Sequence, residues 1–140
     1  SEEGSLCILS NLVDTNLTEV EIALNDISED LGRKIEEASI FAETDPYRAA
    51  TNNKGIMNAI DSVLIATGND WRAVEAGVHS FTNKNGKYTS LSKWRYKEGK
   101  LRGKMTLPLS VGTVGGLTRL HPFAQLSMTM MDVSSVDQLC

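Results

Sequence analysis

The spacing of apolar residues changes period several times along this chain, and each change predicts an element. Leu6-Cys7-Ile8-Leu9 is an unbroken apolar run, read as a short buried strand, and the polar residues 11–16 turn the chain after it. Over residues 17–24, Val20, Ile22 and Leu24 alternate with Glu19, Glu21 and Ala23, the two-residue period of a half-buried strand. The period then lengthens. Ile27, Leu31, Ile35, Ala38 and Phe41 recur at helical spacing with acids on the other face, which predicts an amphipathic helix ending before Asp45-Pro46.

A small-residue stretch, 47–53, separates that helix from a more apolar one. In residues 55–66, Ile56, Met57, Ala59, Ile60, Val63, Leu64, Ile65 and Ala66 wrap almost every side of a helix, so this segment is expected at the centre of the core. Gly68-Asn69-Asp70 supplies a stop and an N-cap, and Trp71, Val74 and Val78 begin another helix. Beyond His79 alternation returns: 88–96 and 101–109 are strand-like runs joined by Lys97-Glu98-Gly99-Lys100, predicting an antiparallel hairpin. Gly112-Thr113-Val114-Gly115-Gly116 reads as a loop, His121-Pro122 opens a helix through about Met131, and a capped stub begins at Ser134 or Ser135. The expected architecture is α+β: a central hydrophobic helix packed with further helices and an antiparallel β-hairpin.

Composition narrows the class. The chain is 41% hydrophobic and 23% charged over 140 residues, the balance of one soluble globular domain. Its longest fully apolar runs are far too short to cross a bilayer, and Ser1-Glu2-Glu3-Gly4 has no signal-peptide character, so a soluble, cytoplasmic protein is expected. Cys7 and Cys140 lie at opposite ends without metal-ligand spacing, and no metal is expected. Charge is divided unevenly: residues 1–46 hold twelve acids against Arg33 and Lys34, whereas eight of the remaining twelve basic residues fall between Lys84 and Lys104. An anionic ligand sits more naturally against that second half.

Candidate chemistry gathers around the apolar helix. Lys54, placed at its N-terminal end, would be an ammonium disfavoured by the helix dipole and ready for a developing oxyanion; a solvated loop lysine is the plainer reading. Asp70 is an N-cap or an acceptor that orients a lysine. Asn58, one turn after Lys54, is read as a buried amide in need of partners. Arg48 can clamp a carboxylate or pair with an acid of the first half. His79 and His121 lack the neighbours of a nucleophilic site and read as structural, and the glycines near Gly112 lack dinucleotide-fingerprint spacing. The hairpin, residues 84–104, with Tyr88, Trp94 and Tyr96, admits an alternative: a non-catalytic module for nucleic acid or another polyanion.

Two longer motifs carry a family resemblance. Asp45-Pro46-Tyr47-Arg48-Ala49-Ala50-Thr51-Asn52-Asn53-Lys54-Gly55-Ile56-Met57-Asn58 resembles the lysine-bearing segment of class II 3-hydroxy-3-methylglutaryl-coenzyme A (HMG-CoA) reductases. Ala66-Thr67-Gly68-Asn69-Asp70-Trp71-Arg72-Ala73-Val74-Glu75-Ala76-Gly77 resembles their aspartate-bearing segment. Ile8-Leu9-Ser10-Asn11, Val111-Gly112-Thr113-Val114-Gly115-Gly116 and His121-Pro122-Phe123-Ala124-Gln125-Leu126 match in the same order. Residues 11–16 contain no lysine, unlike the Asp-Lys-Lys-Pro loop of class I enzymes, which favours class II.

The resemblance implies an oxidoreductase that interconverts HMG-CoA with mevalonate and coenzyme A by two hydride transfers involving NADH or NADPH. It implies that Lys54 stabilises the oxyanion of each transfer, that Asp70 hydrogen-bonds the lysine, and that Asn58 positions it. Arg48 and Thr51 would contact the hydroxymethylglutaryl group, and Asn11 the nucleotide. It further implies a homodimer or higher oligomer with active sites at the subunit interface, and a division into residues 1–10, at the edge of a small nucleotide-binding domain, and residues 11–140, within a large substrate-binding domain. The family's catalytic glutamate, catalytic histidine and Asp-Ala-Met-Gly motif have no counterpart here, so the chain reads as a central fragment that is inactive alone. A straight helix from Lys54 to Asp70 would hold them about 24 Å apart. Their pairing therefore requires a bend or a second subunit.

Overall fold

Asp45 ends one helix and begins another. The computed structural model describes Gly4 and residues 6–140, and in it Asp45 is extended (φ −109°, ψ 120°), sends its own N–H to the carbonyl of Phe41, and accepts from the N–H of Arg48 at 2.7 Å through its side chain. The first helix, α1 (Glu29–Thr44), therefore meets the second, α2 (Pro46–Ala66), at a corner one residue wide. Pro46 occupies the first turn, where its missing N–H costs nothing. The expectation that 47–53 lies outside a helix is thus corrected. Those residues bury only Ala49 and Asn53, too small or too polar to register as an apolar stripe, while the cap and the proline determine the start.

The chain enters α1 from strand β1 (Leu17–Leu24); after α2 follow α3 (Trp71–Thr82), β2 (Ser92–Lys97), β3 (Lys100–Pro108), α4 (Gly116–Leu120), α5 (Pro122–Met130) and α6 (Val136–Leu139). Six helices and one antiparallel sheet among the described residues match the expected α+β class. The sheet order is β1-β3-β2, so the predicted hairpin gains a third strand on its other edge. Glu98 and Gly99 both have positive φ, 50° and 77°, the two-residue turn whose twist suits a hairpin. Trp94 stands opposite Gly103, and a Cβ there would come within 2.6 Å of the indole, so the absent side chain lets the ring lie across the sheet.

Burial forms one stripe of α2 rather than enclosing it. Ala49, Asn53, Met57 and Leu64 are buried, with Ile60 partly so, while Ile65 is 61% exposed. Met57 and Leu64 join Val74 and Val78 of α3 with Leu91 and Leu107, and Ile56, Ile60, Met105, Leu109 and Val111 pack around them. Full burial of each large side chain contributes about 1.5–3 kcal/mol.

Acids of the first half pair with three of the eight basic residues of the ribbon. Arg95 forks onto both carboxylate oxygens of Glu43 at 2.7 Å, Lys104 pairs with Glu19 and Glu21 of the neighbouring strand, and Lys84 pairs with Asp14 at 2.7 Å. This cross-pairing joins the acidic and basic parts of the chain and takes up three of the cations on which the polyanion alternative depends.

Two strand expectations change. Residues 6–9 form no strand with the described residues, and Leu6, Ile8 and Leu9 are exposed, since no ladder is offered to them. The first hairpin strand starts at Ser92 rather than Tyr88, because Asn53 takes the Thr89 carbonyl and the Leu91 N–H.

Candidate functional site

Helical geometry puts Thr51, Lys54 and Asn58 within about 60° of one another around α2, with Arg48 about 60° beyond Thr51. The first three are exposed and Arg48 is half-buried. Lys54 lies about two turns inside the helix, not at its N-terminus, so the dipole argument for a strained ammonium does not hold. Asn58 replaces it. With its amide turned so that both ends are satisfied, Lys54 Nζ donates to Asn58 Oδ1 at 3.1 Å and Asn58 Nδ2 donates to the Lys54 carbonyl at 3.2 Å. Asn58 is exposed rather than buried, and the lysine itself is its partner.

What holds this stripe in place is a pair of asparagines. Asn53 is fully buried, donates to the Thr89 carbonyl and accepts from the Leu91 N–H, both at 2.9 Å. Asn52 donates to Ser90 Oγ at 2.9 Å. The backbone on the N-terminal side of Lys54 is therefore fastened to the segment entering β2. Consecutive asparagines in the middle of a helix were the available signal, because such residues favour caps and turns unless their side chains find partners.

Asp70 is the N-cap of α3: its Oδ1 accepts from the Ala73 N–H at 3.1 Å, and the residue is exposed. Gly68, at φ 71°, makes the turn before it. Asn69 grips the glycine loop, donating to the Gly112 carbonyl at 3.2 Å and accepting from the Gly112 N–H at 2.8 Å. Each residue of Gly68-Asn69-Asp70 thus has a separate local task.

Lys54 and Asn58 are brought together, with Thr51 and Arg48 on the same side; Asp70 is not. α2 runs unbroken from Pro46 to Ala66, through Gly55 and Asp61-Ser62, so the helix does not break to bring the two together, and about 18 Å of it separate Lys54 from Ala66. Asn11 is exposed and lies beside α3, its carbonyl 2.5 Å from where a Cβ on Gly77 would stand. Among the described residues no three side chains are arranged to hold a metal ion, and no helix is long and apolar enough to cross a membrane.

Comparison with known proteins extends this geometry. A family model described as hydroxymethylglutaryl-coenzyme A reductase matches residues 2–140. The 3-hydroxy-3-methylglutaryl-coenzyme A reductase of Archaeoglobus fulgidus is 39% identical over 138 residues, which cover 96% of this chain and 31% of that protein. A probable reductase of the same name from Borreliella burgdorferi is 47% identical over 105 residues, 75% of this chain and 24% of that protein. Among solved structures, the class II reductase of Streptococcus pneumoniae bound to NADPH in open conformations superposes with a TM-score of 0.86 at 42% identity, covering 93% of this chain and 34% of that one. A second structure of the pneumococcal enzyme gives 0.84 at 43% identity, with 94% and 34% covered. The chain spans about a third or less of the length of these relatives.

Proposed function

Because this chain belongs to the hydroxymethylglutaryl-coenzyme A reductase family, we propose that it carries the oxyanion-stabilising lysine of a class II enzyme interconverting HMG-CoA with mevalonate and coenzyme A. The carrying observation is the Lys54–Asn58 pair, an exposed ammonium held at 3.1 Å by an amide one turn along an anchored helix. Reduction of a thioester and then of an aldehyde places negative charge on the carbonyl oxygen twice. A positioned ammonium favours both transition states, since its hydrogen bond strengthens as the charge appears. Asn58 limits the rotamers of Lys54. Arg48 offers a fork to the free carboxylate of the acyl group and Thr51 a hydroxyl beside it.

Asp70 acts on the lysine of a second copy of the chain, across a subunit interface. The unbroken length of α2 supports this, because it keeps the two groups of one chain far apart. The assembly is accordingly a dimer or a multiple of one. Residues 11–140 belong to the large substrate-binding domain, and residues 1–10, of which 1–3 and 5 lie outside the described residues, to the edge of a nucleotide-binding domain. The protein works in the cytoplasm.

NADPH is the favoured reductant, because the pneumococcal relative is described with it, and NADH is the alternative. On this chain the proposed nucleotide contact is the single exposed amide of Asn11, too little by itself to hold a dinucleotide. It supplies the hydride when bound.

The test is Lys54→Met in the full-length protein. HMG-CoA-dependent oxidation of NADPH or NADH should lose about a hundredfold or more in kcat, with KM for HMG-CoA changed far less. An unchanged kcat would overturn the assignment.

A further inference from the structure

Four side chains from α2, α3 and the loop before β2 form a line that the proposed chemistry does not use. His79 Nε2 stands 2.7 Å from Glu75 Oε2, and His79 Nδ1 stands 2.7 Å from the Tyr88 hydroxyl, with the two rings stacked. Asp61, on α2, faces Glu75 across the helix pair. Its Oδ1 is sealed from solvent and no donor reaches it, the one such side-chain atom among the described residues. A half-buried carboxylate with one oxygen sealed from solvent, facing another carboxylate without a donor, is unfavourable on both counts.

One proton resolves the whole line. If Asp61 carries it, its O–H donates to Glu75, His79 Nε2–H donates to the same carboxylate, and the Tyr88 O–H donates to His79 Nδ1. We propose that Asp61 and Glu75 share a single proton, and that this proton clamps α2 to α3 in a pH-dependent manner. The helix carrying Lys54 and Asn58 is thereby fixed to the helix capped by Asp70, an inference that goes beyond the reductase reading and does not depend on it.

The surroundings agree. The titratable groups facing Asp61 are Glu75 and His79 of α3. α5, which also packs on α2, has no titratable side chain, and α1 meets the first half of α2, around Arg48 and Asn52. Burial first, then the Glu75 carboxylate, pushes Asp61 up to about 6 from an ordinary 3.8, with His79 opposing. The folded state therefore binds this proton more tightly than the unfolded one. The clamp's contribution is complete below about 3.8 and is lost as pH rises through about 6.

Infrared spectra and thermal unfolding of the full-length protein and its Asp61→Asn variant test the proposal. The amide imitates the protonated carboxyl, since it can donate to Glu75. A difference spectrum, wild type minus variant, should contain a protonated-carboxyl C=O band at about pH 5 that disappears toward about pH 8. The wild-type Tm should fall relative to the variant over that range by on the order of 2 °C or more. Glu75→Gln, which can donate to an ionised Asp61, should abolish the band. Absence of the band, its survival in Glu75→Gln, or a pH-independent Tm difference would overturn the clamp. None of these measurements requires turnover, so they stand apart from the Lys54 test.

Discussion

Asn53 is enclosed on every side, and both ends of its amide meet backbone groups of the segment entering β2. Removing it leaves a buried N–H and a carbonyl without partners as well as a small void. Asn53→Ala is therefore expected to destabilise the protein by about 2–3 kcal/mol, measured by denaturant unfolding. A loss below about 0.5 kcal/mol would mean that the amide pins nothing. At this scale the sequence revealed identities better than circumstances. Lys54 and Asn58 could be singled out one turn apart, but exposure and their mutual hydrogen bond depend on a helix start eight residues upstream. The pairing of Asp61 with α3 is not legible in the sequence, because its partners come from another helix and no spacing within α2 announces them.

Among elements, α1 and β2 are tied by a mixed polar contact. Ser39 Oγ accepts from the Trp94 N–H and donates to Glu43, whose carboxylate is forked by Arg95. The Arg95 guanidinium, with help from Ser39, holds the Glu43 carboxyl below its ordinary 4.5 against the opposing effect of burial. A depressed carboxylate stabilises the fold above the unfolded value and loses that contribution as pH falls through the folded one, the reverse of Asp61. Glu43→Gln should lower stability at neutral pH by about 1 kcal/mol and reduce the acid-side decline in Tm; a variant with the wild-type acid profile would refute this role. Most elements were legible from their period: β1, α1, α3, the hairpin turn and α5 lie near their expected positions. The first two turns of α2 were not, because their inward positions are an alanine and an asparagine, and Asp45-Pro46 reads equally well as a stop and as a start. The partnership of β1 with β3 is long-range, and nothing in either strand's alternation specifies it.

For the molecule as a whole, the arrangement of Lys54 and Asp70 predicts complementation between defective copies. If the pair forms across an interface, coexpressed Lys54→Ala and Asp70→Ala chains should regain activity, since a mixed dimer has one site with both groups intact. Random pairing would restore about a quarter of wild-type turnover. No recovery would place both groups within one chain. The corner at Asp45 bears on the same site in a different way. One residue serves both helices, leaving no slack, so a residue inserted between it and Asn53 would swing the asparagine about 100° out of its socket and carry the ammonium around with it. Substitutions along this stretch can be absorbed one at a time. Its length is what the socket of Asn53 leaves no freedom to alter.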